Sequence, residues 1–290
     1  MMEHAIPVIP WIVFFAALLT LVTFLLAKAP AGWNVVFFTA VSILIPSYLV
    51  ATSFQTLEGF FGPIKFLTLC VTVLLIAGLR FWGWRRKPLA RTLFYLIVVV
   101  NIAEAVGFET LDLALGGPER KMGGNVLNVL AGIILVLTQA LPRKVSVSDS
   151  PDRGLRYDLG VFWILAYTLW DFTFLYGTNP PDRPTGEWTG LAVIHLSAPL
   201  FLMGRDGALY AQMRVYSLWI VAGLALIVPF EPWLYRTPEW HNRSLSDALA
   251  FASLGLTALL FVQQLRAGTR AAVPANPVQL LGRRVFGRKR

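Results

Sequence analysis

One cysteine and three histidines in 290 residues leave little material for metal or thiol chemistry. A lone Cys70 forms no intrachain disulfide and no thiolate cluster, and a zinc or iron centre normally draws several Cys or His ligands. His4 and His241 lie outside the apolar runs of the chain, so His195 is the one histidine inside them. The metalloprotease pattern H-E-x-x-H, the nucleophile elbow G-x-S-x-G and the Walker lysine loop are missing. No cofactor is therefore expected. Charge is also scarce, at 14% of residues, where soluble domains carry about 25%.

What fills the chain instead is hydrophobic sequence, 56% of all residues, arranged in runs of roughly 18 to 22 residues, each long enough to cross about 30 Å of hydrocarbon. Charged or Pro/Gly-rich breaks separate nine such runs, at residues 8–27, 34–51, 64–82, 92–109, 124–141, 159–176, 188–203, 208–230 and 248–265. The expected fold is all-α, a polytopic transmembrane helical bundle of about nine spans. Eight is the alternative, because the run 208–230 contains Arg214. An arginine there reads as snorkelling to the interface, with the span beginning near Val215. Residues 1–267 form one transmembrane domain and 268–290 a basic cytoplasmic tail. The first run follows M-M-E-H, which lacks the positive start of a signal peptide, so it reads as a retained span.

The loops alternate in charge. Arg80, Arg85, Arg86, Lys87 and Arg91 follow the third run, Arg143, Lys144, Arg153 and Arg156 the fifth, and Arg205 the seventh; seven more basic residues follow the ninth. The intervening loops at 117–122 and 181–187 are poor in positive charge or nearly balanced. By the positive-inside rule the N-terminus is outside and the C-terminus cytoplasmic, in the plasma (inner) membrane if the cell is bacterial. This pattern accounts for the net charge of +9, and no aromatic-interleaved basic patch suggests nucleic acid. Membrane lipids are the expected surroundings. The tail segment N-P-V-Q-L-L-G-R-R-V-F-G-R-K-R alternates apolar and basic residues, so it either lies on anionic lipid or serves as a disordered topology anchor.

Polar residues inside the apolar runs are costly, and here they share one depth. The fourth run carries Asn101 and Glu104, three apart on one helical face; the fifth carries Asn125 and Asn128 at the same spacing. Tyr167 and Asp171 lie four apart in the sixth, and His195 is in the seventh. At about 1.5 Å per residue, Glu104 and Asp171 sit roughly 8 Å and His195 roughly 10 to 12 Å beneath the outer ends of their runs, with Asn101 one turn deeper than Glu104 and the asparagines of the fifth run entering from the same side. An ionised carboxylate near mid-membrane costs about 2.5 to 3.5 kcal/mol on insertion scales, so Glu104 and Asp171 are expected to face one another, His195, amides or water. The expectation is an outward-facing polar pocket lined by Asn101, Glu104, Asn125, Asn128, Tyr167, Asp171 and His195.

Two carboxylates with amide and phenolic oxygens suit a hard cation, and the same groups with a histidine suit proton sharing. The leading expectation is a transporter or channel-like protein for a cation, proton or small solute. A sensory or scaffold protein, in which these residues only bond helices together, is the alternative. Acid-base chemistry on a lipid-linked substrate is a third. Oligomeric state is not legible. The segments N-I-A-E-A (101–105), N-V-L-N-V-L-A-G (125–132) and Y-T-L-W-D-F (167–172) resemble motifs of a family of bacterial multi-pass membrane proteins known only as a domain of unknown function. The resemblance covers most of the chain and is most specific across 101–172. In that family the position of Asp171 is often Asn, so the resemblance does not demand a second carboxylate. It implies a bacterial membrane protein and supplies no activity, substrate or cofactor.

Overall fold

A computed structural model describes residues 8–52, 61–115, 125–178, 189–204, 206–225 and 243–287. The loops 117–122 and 181–187, Arg205, His4, His241 and the last three basic residues lie outside them. Ten α-helices appear among the described residues: α1 Val8–Lys28, α2 Ala31–Thr52, α3 Phe61–Phe81, α4 Pro88–Leu115, α5 Val126–Thr138, α6 Val161–Gly177, α7 Thr189–Met203, α8 Tyr210–Ala225, α9 Arg243–Arg270 and α10 Pro277–Phe286. The fold is all-α apart from one small hairpin. Strands β1 (Val145–Val147) and β2 (Leu155–Tyr157) pair antiparallel with Ser146 opposite Arg156.

Four of the helices are long and apolar enough to cross a membrane: Ile9–Lys28, Ile64–Phe81, Pro88–Ala114 and Arg243–Arg270. This corrects the expectation of nine spans. Each of the nine runs holds a helix, but those in the fifth, sixth, seventh and eighth runs have only 13, 17, 15 and 16 described residues. The fifth run was read to residue 141, yet α5 ends at Thr138 because Gln139 turns extended ahead of Pro142, whose ring cannot continue a helix. Its 13 residues span only about 20 Å. The sixth begins late, after Gly160, which takes φ +82°. In contrast the fourth helix is longer than its run, and Pro88, preset for a first helical position, opens a helix of 28 residues.

The core is built around α3, half-buried in the bundle, whereas α1, α4 and α9 turn most of their apolar surface outward. Outward residues include Phe14, Trp33, Phe201 and Phe251, all more than half exposed. A rim of that kind suits hydrocarbon and would be an aggregation hazard in water. Helix α8 packs on α1, α3 and α7, and α6 on α5, α7 and α9. Phe38, Phe66, Tyr216 and Trp219 stack where α2, α3 and α8 meet.

One end of the bundle is closed by the hairpin. Arg80, 1% exposed, donates from Nη1 to the Tyr216 hydroxyl at 2.7 Å, from Nη2 to the carbonyls of Ala27 and Asp152 at 2.8 and 2.7 Å, and from Nε to that of Arg153 at 3.1 Å. A residue that reads as a loop charge is therefore a buried clasp of α1, α3, α8 and the hairpin. Beside it Lys28 pairs with Asp152, and that bond, together with one from Ser150, holds the Asp152 carboxyl below the usual carboxylate range. Burial pushes the Tyr157 phenol up while Gln139 donates to it at 3.1 Å.

The C-terminal segment is ordered as α10, capped by the Asn276 side chain on Gln279 N. It lies against α9 so closely that a Cβ on Gly268 would meet the Gln279 carbonyl at 2.2 Å and one on Gly282 the Leu265 carbonyl at 2.2 Å. Gln264 accepts from both Asn276 and Gln279. The disordered-anchor reading of this segment therefore does not hold for residues 277–286.

Candidate functional site

The seven polar residues singled out by position divide between two clusters. The first gathers Asn101 and Glu104 of α4, Tyr167 and Asp171 of α6 and His195 of α7, and joins them to Lys65 of α3 and Tyr210 of α8, which the expected lining did not include, and to Arg214 of α8, which was expected at the interface. Lys65 Nζ donates to the Asn101 carbonyl and lies 3.7 Å from Glu104 Oε2, which also accepts from Thr68 Oγ1 at 3.1 Å. Lys65 and Thr68 stand three apart on α3, as Asn101 and Glu104 do on α4, so one face of each helix zips to the other.

Asp171 accepts from Arg214 Nη2. Both side chains are deeply buried, 10% and 6% exposed. Arg214 therefore does not snorkel. An arginine pointing inward to a carboxylate keeps its charge out of lipid more completely than one stretched to an interface, provided the partner is there. Its guanidinium carbon sits 5.7 Å from the centre of the Tyr167 ring. Tyr167 itself stacks on Trp163 with centroids 5.2 Å apart. Tyr210 reaches the Thr168 hydroxyl at 3.2 Å.

The two pairs form one electrostatic network. Lys65 feels Asp171 and Arg214 as well as Glu104. His195 feels Arg214, Asp171 and Lys65. Two cations and two carboxylates thus sum to zero. Pro199 positions the histidine: a proline has no N–H to donate four residues back, which frees the His195 carbonyl. Ser217 Oγ of α8 takes that carbonyl at 3.0 Å and so ties α7 to the turn of α8 that carries Arg214.

A cavity of about 40 Å³ adjoins the network. Asn101, Tyr167, Tyr210 and Arg214 supply its polar lining, with Thr72, while Leu69, Val98, Trp163 and Val215 are among its apolar walls. Its lining includes the first turns of α6 and α8, toward the hairpin end of the bundle. Two Arg214 nitrogens, Nε and Nη1, have no hydrogen-bond partner among the described residues.

The second cluster holds Asn125 and Asn128, away from Glu104 and centred on Glu109. Glu109, 1% exposed, accepts from the Asn125 backbone N–H at 3.3 Å and from Asn128 Nδ2 at 3.1 Å. Asn125 caps α5 by accepting from Leu127 N at 3.0 Å, and its Nδ2 donates to Asp247 of α9 at 2.9 Å. The Asn128 carbonyl accepts from Trp170 Nε1 at 3.0 Å. Gly132, four residues on, makes room for that indole: a Cβ there would lie 2.8 Å from Trp170 Nε1 and 2.4 Å from Val106. The segment N-V-L-N-V-L-A-G is thus a cap, a buried acid's donor and a seat for tryptophan. Among the described residues no group of three or more His, Cys, Asp or Glu side chains is placed to hold a metal ion.

The chain belongs to the family described as Family of unknown function (DUF5692), which matches residues 2–278. That span takes in both clusters and ends in the first turn of α10. No curated protein and no solved structure matches the chain.

Proposed function

We propose that this chain is a multi-pass transport protein of a bacterial inner membrane, N-terminus outside and C-terminus cytoplasmic, whose paired-charge core binds a small ion, proton or solute in transit. The observation that carries the reading is the network of Lys65, Glu104, Asp171 and Arg214, drawn from four helices and bordering a cavity. As glue this would be a poor choice. Taking two opposite charges out of water costs several kcal/mol per ion, and replacing such a pair with well-packed apolar residues is often neutral or stabilising by about 1 to 4 kcal/mol. As a switch it makes sense. A ligand or proton that neutralises one member releases the other, and helices held together by the pair change partners, so occupancy is converted into movement. Lys65, which feels both carboxylates, is the group through which Glu104 and Asp171 communicate.

The scaffold reading has its own support in the Glu109 cluster, which locks α4, α5, α6 and α9 without bordering the cavity. The two readings separate in proteoliposomes. Glu104→Gln and Asp171→Asn keep shape and remove charge, so both variants should fold while proton- or ion-driven flux falls. Unchanged flux in both, or no flux from the wild type under any gradient, removes the transport reading and leaves the scaffold.

A further inference from the structure

We infer that the cavity beside Arg214 is a binding site for a small monovalent anion, of the size of a halide or formate. The inference deepens the transport reading, since it names the class of ligand for the same core, and it rests on that reading for its place in a transport cycle but not for its chemistry.

Unused hydrogen-bonding capacity points to the class. Glu104 Oε2 already has Lys65 and Thr68, and Asp171 Oδ2 has Arg214, so the charge of each carboxylate is already offset by a cation of the protein. Arg214 is in the opposite condition. One of its nitrogens serves Asp171, and the Nε and Nη1 donors, in a residue 5% exposed, meet no acceptor among the described residues. A buried donor left unpaired is costly, a charged one most of all, so an acceptor in the cavity is favoured. Around that position the Tyr167 hydroxyl and the Asn101 amide supply further donor capacity.

Size and charge narrow the ligand. A cavity of about 40 Å³ holds a particle of one to three heavy atoms, because a single water needs only roughly 10 to 15 Å³ on the same measure. A sulfate, a phosphate or an amino acid does not fit. Lys65 and Arg214 against Glu104 and Asp171 leave the surroundings neutral, and one negative charge is the most such a site holds without a further cation. The aliphatic walls of Leu69, Val98, Ile102, Leu159, Val215 and Leu218 suit a weakly hydrated anion better than a strongly hydrated one. Water is the competing occupant, and it differs in one testable respect: it is present under every buffer.

The test is saturable stabilisation by anions of the purified protein in detergent, read as the melting midpoint at constant ionic strength with gluconate as the balancing ion. Bromide, chloride and formate should each raise the midpoint along a saturating curve, and sulfate and gluconate should not. Arg214→Gln should weaken the apparent affinity at least about tenfold, the loss expected for a hydrogen bond to a charged donor. Tyr167→Phe, which keeps the ring stack on Trp163, should weaken it about three- to tenfold; it serves as the informative variant if Arg214→Gln does not fold. A midpoint indifferent to all the small anions, or an identical response in wild type and both variants, overturns the inference and leaves water in the cavity. Cation flux from a protein that shows no anion response would overturn this inference alone and leave the transport reading standing. Saturable anion binding without flux of any kind would support the site and remove transport.

Discussion

Breaking and then replacing the Asp171–Arg214 pair discriminates most sharply between a structural and a working charge. In Asp171→Leu the guanidinium of Arg214, 5% exposed, loses its carboxylate and adds Nη2 to the two nitrogens already without a protein partner. Removing one member of a buried pair costs about 3 to 5 kcal/mol. In Arg214→Met the stranded Asp171 still has Lys65 and His195 as electrostatic neighbours, so that variant should fall at the lower end of the range. At about 2 to 4 °C per kcal/mol, the single variants should melt roughly 6 to 20 °C below wild type. The double variant Asp171→Leu with Arg214→Met should recover to within about 1 kcal/mol of wild type or exceed it, because no uncompensated charge remains. Melting in detergent measures stability, and flux in proteoliposomes measures function on the same three proteins. Additive penalties, with the double variant losing the sum of the singles within about 0.5 kcal/mol, would refute the pairing. A stable double variant that transports as the wild type does would refute the working role, whatever the cycle gives.

Three further outcomes follow from other parts of the fold. Gly132→Ala drives a Cβ against Val106 and the Trp170 indole and should destabilise by about 1 to 3 kcal/mol; a melting curve that does not move would mean that α4, α5 and α6 are not packed as described. Ser217→Ala should cost about 1 kcal/mol by leaving the His195 carbonyl without its donor. In a Pro199→Ala background that penalty should fall to less than half, because the restored N–H at position 199 takes the same carbonyl, and an undiminished penalty counts against the arrangement. Asp152 has a lowered pKa because Lys28 and Ser150 bond its carboxylate, so its contribution is fully present above the unfolded value of about 3.9 and is lost as pH falls through the lower folded value. The melting gap between wild type and Asp152→Asn should be flat from neutral pH to about pH 5 and close below pH 4; a gap unchanged at pH 3 contradicts the bond.

Helix content was legible because apolar runs bounded by charge or Pro/Gly breaks leave few other folds, and each of the nine runs does hold a helix. Span number was not, since a hydropathy window counts the extended residues Gln139 to Leu141 and the turn before Val161 as readily as helix. Depth estimates inherit the same fault. Glu104 was placed a few residues from the end of its run, but α4 continues to Leu115, which puts it about 16 Å from that end. Glu109, taken as the end of a span, is instead buried among the asparagines that had been assigned to Glu104.

The basic partners were missed for a physical reason rather than by oversight of a motif. Lys65 and Arg214 each stand four residues into a helix, at Phe61 and Tyr210 respectively, and a long basic side chain that close to a helix end has two low-cost destinations, the interface or a carboxylate across the bundle. Sequence alone weighs the first, because it needs no partner. The second becomes the lower in free energy only when a carboxylate lies within reach on another helix, and that is a property of packing. The signal was nevertheless in the chain as a balance. Two acids in apolar surroundings require two compensating charges, and only a few basic residues, Lys65 and Arg214 among them, lie inside the apolar runs at all. Pairing buried charges by sign before assigning any of them to solvent turns an acidic pocket into a neutral one, and in a neutral pocket the Arg214 donors left over from the pairing move the expected ligand from a cation to an anion.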